Sequence, residues 1–480
     1  MRLQRLDIGG DVPSTDLVCV WFRGLLGTLS PVRFLTIRKR RFTVHLVVVA
    51  SLILGACNGA GGAATTTTAE ATTTPSAPPV SSVETLAPGL DATVIDRLTA
   101  EIGELAAATE QLRALSFVVQ PSLRFLPRDE FTVAVQGAIE SDLVKMDPAA
   151  AFRLYRMLGL IGSGDDLAEG VFLEMAQEAV VYFDQESGDL LVAGDTAELT
   201  PYQRSTVVHE LVHALTEQYF RSGRTLAALS AEGSFDQIDA YRALVEGDAT
   251  YVQFLYLQGL SSEDRSDAAL EALDSTPGSL EGAPAFVGNE IVFPYDSGLE
   301  FVTALVSGGG IAAIDRAYID FPVSTEQVIH IERYQGGEAP RRTNSIEVDL
   351  PEYQEAAAGT WGELGMIRLL TGVLTPGFTT QTADGWGGDS FLVMENESDV
   401  AFVLRYRGDT EDNTIEVVEG LLLAARDRMG AGDGLEAAGG IEFAAGGPYV
   451  FIDRVNDGML FIVSTDTGTG RTIRDQTDVP

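Results

Sequence analysis

The chain is poor in several residue types that would otherwise open easy readings. Of its 480 residues only two are cysteine, Cys19 and Cys57, and both lie near the N-terminus. The rest of the chain therefore has no disulfide framework and no thiolate metal site, which leaves histidine and carboxylate as its metal ligands. Lysine occurs only at positions 39 and 145, and the formal net charge is −38. No basic footprint exists for a phosphate backbone, so nucleic acid is not an expected partner. The Gly-rich stretch Gly385-Trp386-Gly387-Gly388-Asp389 has no Gly-Lys-Ser/Thr, so it is not a P-loop. Asp389 within it is a cleft residue at most. Histidine is also scarce, at 45, 209, 213 and 330.

Two of those four histidines stand together in His209-Glu210-Leu211-Val212-His213. Histidines four apart on a helix project from one face, one turn apart, so both imidazoles reach one metal ion. The surrounding sequence is helical. Thr200 and Gln203 form a capping box with Pro201 in the first turn, and Val207, Leu211, Ala214 and Leu215 form an apolar stripe. Glu210, beside the first histidine, is the natural general base for a metal-bound water. Open hydrolytic zinc sites have this form: three protein ligands and a position for water.

This motif resembles that of the zincin metallopeptidases, and a second segment narrows the resemblance to the gluzincin type. Leu244-Val245-Glu246-Gly247-Asp248-Ala249 lies in an amphipathic segment, 238–260, with Ala240, Leu244, Val245, Tyr251, Phe254 and Leu255 apolar. In gluzincins the third zinc ligand is a glutamate on a downstream helix, often followed by a small residue. The resemblance assigns that place to Glu246, with Gly247 allowing two helices to approach. The gap from His213 to Glu246 is 33 positions, longer than the usual gluzincin spacing of about twenty. A loop over 221–236 absorbs the excess in this reading. Thr250 stands where some gluzincins have an aspartate, which leaves open the partner of a ligating imidazole. Asp248 and Glu217 are the competing third ligands.

The same resemblance implies further roles. Ala179 to Phe183 and Leu190 to Ala193 read as a hairpin just before the histidine helix. Zincins present such an edge to extended substrate, so this hairpin is the expected substrate edge. A helix is expected to begin near Val292-Phe293-Pro294-Tyr295. Tyr295 and His330 are the two candidates to donate to the oxyanion of a tetrahedral intermediate. Pro294-Tyr295, Gly298, Phe301-Val302 and Ser324-Thr325-Glu326-Gln327 to His330 also resemble a group of bacterial metallopeptidase-like lipoproteins, over roughly residues 120–400.

The N-terminus points to a location. Arg38-Lys39-Arg40-Arg41 precedes an apolar run from Phe42 to Ala56, the length of a signal h-region rather than of a membrane span. The run ends in Leu54-Gly55-Ala56-Cys57, which resembles a bacterial lipobox, with Cys57 the lipidated residue after cleavage. An uncleaved anchor is the alternative. Residues 1–56 carry eight Lys/Arg and three Asp/Glu, so the chain without them has a net charge of −43. Anionic lipid repels such a surface, and the lipid on Cys57 would do the anchoring.

The expected organisation is α+β. Residues 1–57 are signal peptide and lipobox. Residues 58–88 are a Gly/Thr/Ser/Pro tether. Residues 89–375 form a mainly helical zincin-like domain with a small hairpin or sheet, opened by an Asp91-capped helix. Residues 376–480 form a small α+β unit with a hairpin turning at Asn456-Asp457-Gly458. The expected activity is zinc-dependent peptide hydrolysis at the outer face of a bacterial membrane, on a peptide or protein substrate. The alternative is a non-catalytic surface lipoprotein that binds metal or an envelope partner.

Overall fold

The structure, a computed structural model, describes residues 80–143, 146–162, 169–275 and 284–480. The signal segment, Cys57 and most of the expected tether lie outside the described residues.

The first half is a small sheet under a layer of helices. Strands β1 (Val83–Thr85), β2 (Ser122–Leu126), β3 (Val181–Asp184) and β4 (Asp189–Ala193) run in the order β1-β2-β4-β3. β1, β2 and β4 are parallel, and β3 is antiparallel at one edge. β1 lies inside the stretch expected to be tether. Val83–Thr85 is a strand despite its tether-like composition, because it finds a pairing edge on β2. Helix α1 (Ala92–Arg113) starts as expected at Asp91, whose carboxylate accepts from Thr93 N at 2.8 Å. After β2 come α2 (Arg128–Leu143), α3 (Pro148–Met157) and α4 (Glu169–Glu178).

The histidine helix is α5 (Pro201–Phe220). Its capping box is formed in both directions, each bond at 3.1 Å. Val207, Val208, Leu211, Val212 and Ala214 are buried against the sheet, with Leu98, Ile102, Phe125 and Val192 in the same core. The expected loop over 221–236 is a correction: Ser222–Ala231 forms α6. Glu217 nucleates it by accepting from Gly223 N at 2.8 Å and the Ser222 hydroxyl at 3.1 Å, and Leu229 buries the new face.

Helices α7 (Phe235–Gly259), α8 (Ser262–Asp274) and α9 (Ala285–Gly309) complete this part of the layer. α7 is the expected second helix. Its Gly247 does permit a close helix approach, but toward α9 rather than α5. A Cβ on Gly247 would collide with the Gly298 backbone, and one on Gly298 with the Ala243 carbonyl. The helix expected to begin near 292 begins at 285 and carries Pro294 inside it. Burial of Phe286, Val287, Ile291 and Phe293 outweighs the one backbone bond that proline removes. Among the described residues no single helix is long and apolar enough to cross a membrane.

Helices α10 (Ala312–Ile319), α11 (Thr325–Ile329) and α12 (Ile331–Gly336) lead to the second sheet. Its seven strands are β5 (Gln354–Gly359), β6 (Trp386–Glu395), β7 (Val400–Gly408), β8 (Leu435–Ala437), β9 (Gly440–Phe443), β10 (Tyr449–Val455) and β11 (Gly458–Ser464). They pair antiparallel in the order β5-β6-β7-β11-β10-β9-β8. β5 joins this sheet from the N-terminal side of the 376 boundary expected from the sequence. The Gly-rich stretch 385–389 runs into the bulged start of β6. The β10–β11 hairpin turns where expected, with Asn456 at φ 55°.

One face of this sheet packs on α3, α13 (Gly362–Leu370) and α15 (Glu411–Leu423) through Trp361, Phe391, Phe402 and Phe461. Between α13 and α15 lies α14 (Pro376–Ala383). After α15 the chain continues in a π-helical turn, Ala424–Arg428. The other face is covered by Ile346, Val348 and Leu350 and by α16 (Thr467–Gln476), whose Ile473 is fully buried. The chain is thus α+β, with mixed helices and two sheets.

Candidate metal centre

α5 and α7 bring three donors to one point. The His209 and His213 rings lie 4.7 Å apart, edge to face at 78°. Both Nε2 atoms turn to Oε2 of Glu246, at 3.1 Å from His209 and 3.5 Å from His213. One ligand atom from each of the three lies within 4.8 Å of the others. A tetrahedral ion with bonds of about 2.0–2.1 Å holds its donors about 3.3 Å apart, so the spacing fits zinc. The donor set, two imidazoles and a carboxylate, fits it as well.

The competing ligands are engaged elsewhere. Asp248 is fully buried and its carboxylate meets Arg113 Nε at 2.8 Å. Arg113 also pairs with Asp315 at 2.7 Å. Glu217 caps the turn into α6. Nδ1 of both histidines is buried and has no hydrogen-bond partner, and neither has the Thr250 hydroxyl. Among the described residues no carboxylate therefore orients the imidazoles from behind.

Glu210 sits beside this cluster. Its Oε2 accepts from the Phe183 main-chain N–H, on the edge strand β3, at 2.8 Å. Burial pushes its carboxyl above the ordinary value, against the pull of the two imidazoles. Burial also opposes the charge on Glu246, but both imidazoles outweigh it and hold that carboxyl well below the usual range. For His213 burial works against the proton, and the Glu246 carboxylate overrides it, raising the group to about 9. Protons and a cation therefore compete for the same donors.

The donors open into a cleft of about 90 Å³. Tyr295 lines it, with its ring 6.1 Å from that of His209. Tyr182, Phe183 and Gln185 come from β3 and its turn, and Arg242 from α7. His330 is not in this cleft, which corrects one of the two oxyanion candidates. Its Nε2 lies 3.1 Å from Glu363 Oε1 and 3.1 Å from Asp384 Oδ1, joining α11 to α13 and α14. Asp389 is likewise a structural group. It accepts from the N–H groups of Trp361 at 2.6 Å and Gly362 at 3.0 Å, and from the Trp386 indole at 2.7 Å. Arg242 is the cleft residue that the motif reading passed over. Its signal was available, since it precedes Glu246 by one helical turn on the same face.

Residues 349–463 match a family described as a domain of unknown function, DUF8575. The match covers β5 to β10 and nearly all of β11, and none of the metal-donor helices. No curated protein and no solved structure matches the chain.

Proposed function

We propose that the chain is a zinc-dependent peptide hydrolase of gluzincin-like type, held at the outer face of a bacterial membrane by a lipid on Cys57. The reading rests above all on one observation: His209, His213 and Glu246 converge at 3.1–3.5 Å with Glu210 beside them. The antiparallel edge strand β3 next to α5 supports it.

His209, His213 and Glu246 are the residues that hold zinc. When bound, zinc supplies Lewis acidity toward a peptide carbonyl and makes water a stronger acid. Glu210 takes the proton of the attacking water and returns it to the leaving amine. The Phe183 N–H fixes Oε2 of Glu210 and so orients the other oxygen. A carboxyl raised by burial is suited to both halves of that transfer. Beyond the Phe183 N–H that Glu210 takes, the outer edge of β3 offers main-chain pairing to an extended peptide. The Tyr295 phenol stands at the cleft as a donor to the developing oxyanion.

The test is the metal content and peptide turnover of the purified protein, of Glu246→Ala and of Glu210→Gln. About one zinc per chain is expected, lost in Glu246→Ala and retained without turnover in Glu210→Gln. No zinc after reconstitution would remove the enzyme and leave the non-catalytic surface module. Turnover by Glu210→Gln at the native rate would remove Glu210 from the mechanism.

A further inference from the structure

Val118 and Val119 are neighbours in the chain and are 70% and 61% exposed. A single exposed apolar residue is ordinary. Two adjacent ones held in place are not. Oε1 of Gln218, near the end of α5, accepts from the main-chain N–H of Val118 at 2.8 Å and of Val119 at 3.1 Å. Its Nε2 donates to the Val119 carbonyl at 2.7 Å. The next residue, Tyr219, donates its hydroxyl to the Ser116 carbonyl at 2.7 Å and stays 43% exposed. These bonds hold two valines and a tyrosine in water, so the ordering entropy of the loop is lost before anything touches it.

Charge singles out the same end of α5. In a chain with 70 Asp and Glu against 32 Lys and Arg, Arg221 and Arg224 follow Tyr219 within five residues, and both are exposed. Two carboxylates at this end, Glu110 and Glu217, accept from the main-chain N–H groups of Phe117 at 2.7 Å and Gly223 at 2.8 Å. Exposed aliphatic side chains, a tyrosine and flanking arginines suit the boundary between acyl chains and phosphate headgroups.

The path of the chain points to the occupant. The Ser81 N–H donates to the Pro121 carbonyl at 3.4 Å, and the Ser81 and Ser122 hydroxyls lie 2.9 Å apart. The segment that follows Cys57 therefore joins the fold beside Pro121, two residues from Val119. Residues 58–79, 22 positions, separate Cys57 from Val80. By the scaling for flexible chains that length spans about 25 Å on average. A lipid on Cys57 would keep this end of the fold near the bilayer, where tethering sustains even a weak contact.

We propose that Val118, Val119 and Tyr219, flanked by Arg221 and Arg224, form a surface that rests in the headgroup layer of the membrane. This rests on the lipid anchor of the proposed function and on neither zinc nor turnover. The lipid holds the chain, and the patch sets its orientation. Gln218 lies five residues past His213 on α5, about 7.5 Å along the helix axis. The contact thus fixes how the metal donors face the membrane.

The experiment is fluorescence quenching on the full chain as bacteria process it, purified with its lipid and returned to vesicles whose acyl chains carry bromine as quencher. Cleavage before Cys57 removes Cys19, and the lipid blocks Cys57. A cysteine introduced by Val119→Cys is then the one thiol left to carry an environment-sensitive dye. Leu435→Cys, at a 71% exposed position on β8, is the comparison. Vesicles of phosphatidylcholine alone and of phosphatidylcholine with phosphatidylglycerol are both used. The dye at 119 is expected to be quenched severalfold more strongly than the dye at 435. Adding Val118→Asp is expected to remove most of that difference, because a carboxylate is costly at this depth. Val118→Ser takes its place, with the same sign, if the aspartate variant does not fold. Arg221→Gln with Arg224→Gln is expected to reduce the difference more in the phosphatidylglycerol vesicles. Equal quenching at the two positions, none at 119, or a difference that survives the Val118 variants overturns the proposal. A dye shift at 119 that grows with protein concentration and without quenching assigns the valines to a second copy, which also overturns it. The mass of the N-terminal peptide reads the lipid separately. A lipid without quenching at 119 removes the patch alone, and no lipid removes the anchor and the patch with it.

Discussion

The main-chain N–H of Phe183 donates to Oε2 of Glu210 at 2.8 Å, so a strand edge and the carboxylate beside the metal donors form one unit. β3 pairs with β4 on its other side, where Phe183 faces Leu190. A proline at 183 removes the donor from an edge strand, where proline is best tolerated. Phe183→Pro is expected to keep its zinc and to lower kcat by about tenfold, a fraction of what a general base contributes. Steady-state kinetics beside metal analysis check this. An unchanged kcat would mean that the bond does not orient Glu210.

The two kinds of histidine separate cleanly. His209 faces Glu246, whereas His330 lies between Glu363 and Asp384. His209→Ala is expected to lose zinc, and His330→Ala to retain about one per chain with a lower melting temperature. Zinc loss in His330→Ala with its fold intact would return that residue to the site.

Gly247 sits where α7 touches α9, with the Gly298 backbone in the space a side chain would fill. Neither partner is a flexible side-chain end, so the helices themselves must separate. Gly247→Ala is expected to cost about 2 kcal/mol by overpacking. It is also expected to weaken zinc binding, because its neighbour is Glu246. Chemical denaturation and a zinc titration measure the two effects. A variant as stable as the parent would show that the helices yield without strain.

A buried carboxyl away from the cleft makes stability depend on pH. Burial raises Asp236 from its ordinary 3.8 to about 7, although the Thr325 N–H and hydroxyl both donate to it. Below about pH 4 the group is protonated in both the folded and the unfolded chain. Between about 4 and 7 the unfolded chain ionises while the folded one keeps its proton, so this contribution to stability is lost as pH rises. Asp236→Asn is expected to flatten the melting temperature across that window relative to the parent. Parallel curves for the two proteins would remove Asp236 as the source.

Much of this architecture is local enough to be read from the chain. Helix starts at Asp91 and Thr200 follow from side chains that reach only two or three residues. The one-turn spacing of His209 and His213 needs only a helix, and the Asn456 turn needs only a left-handed backbone. The short strands β1, β5 and β8 carry no such signal. They are three to six residues long, and pairing partners from elsewhere in the chain make them strands.

The sequence by itself determined that two histidines and a glutamate share one helix face, and it offered Glu246, Asp248 and Glu217 as carboxylates to join them. Only tertiary packing decided which carboxylate. Glu246 and Asp248 lie two positions apart, about 200° around the same helix. The Gly247–Gly298 contact fixes the rotation of α7 that turns Glu246 to the histidines and Asp248 to Arg113. His330 looked equivalent to Tyr295 along the chain, yet it lies with Glu363 and Asp384, because α11 packs on α7 and α13 rather than on α5. Distances between groups far apart in sequence depend on how helices pack, and no spacing rule within the chain contains that information.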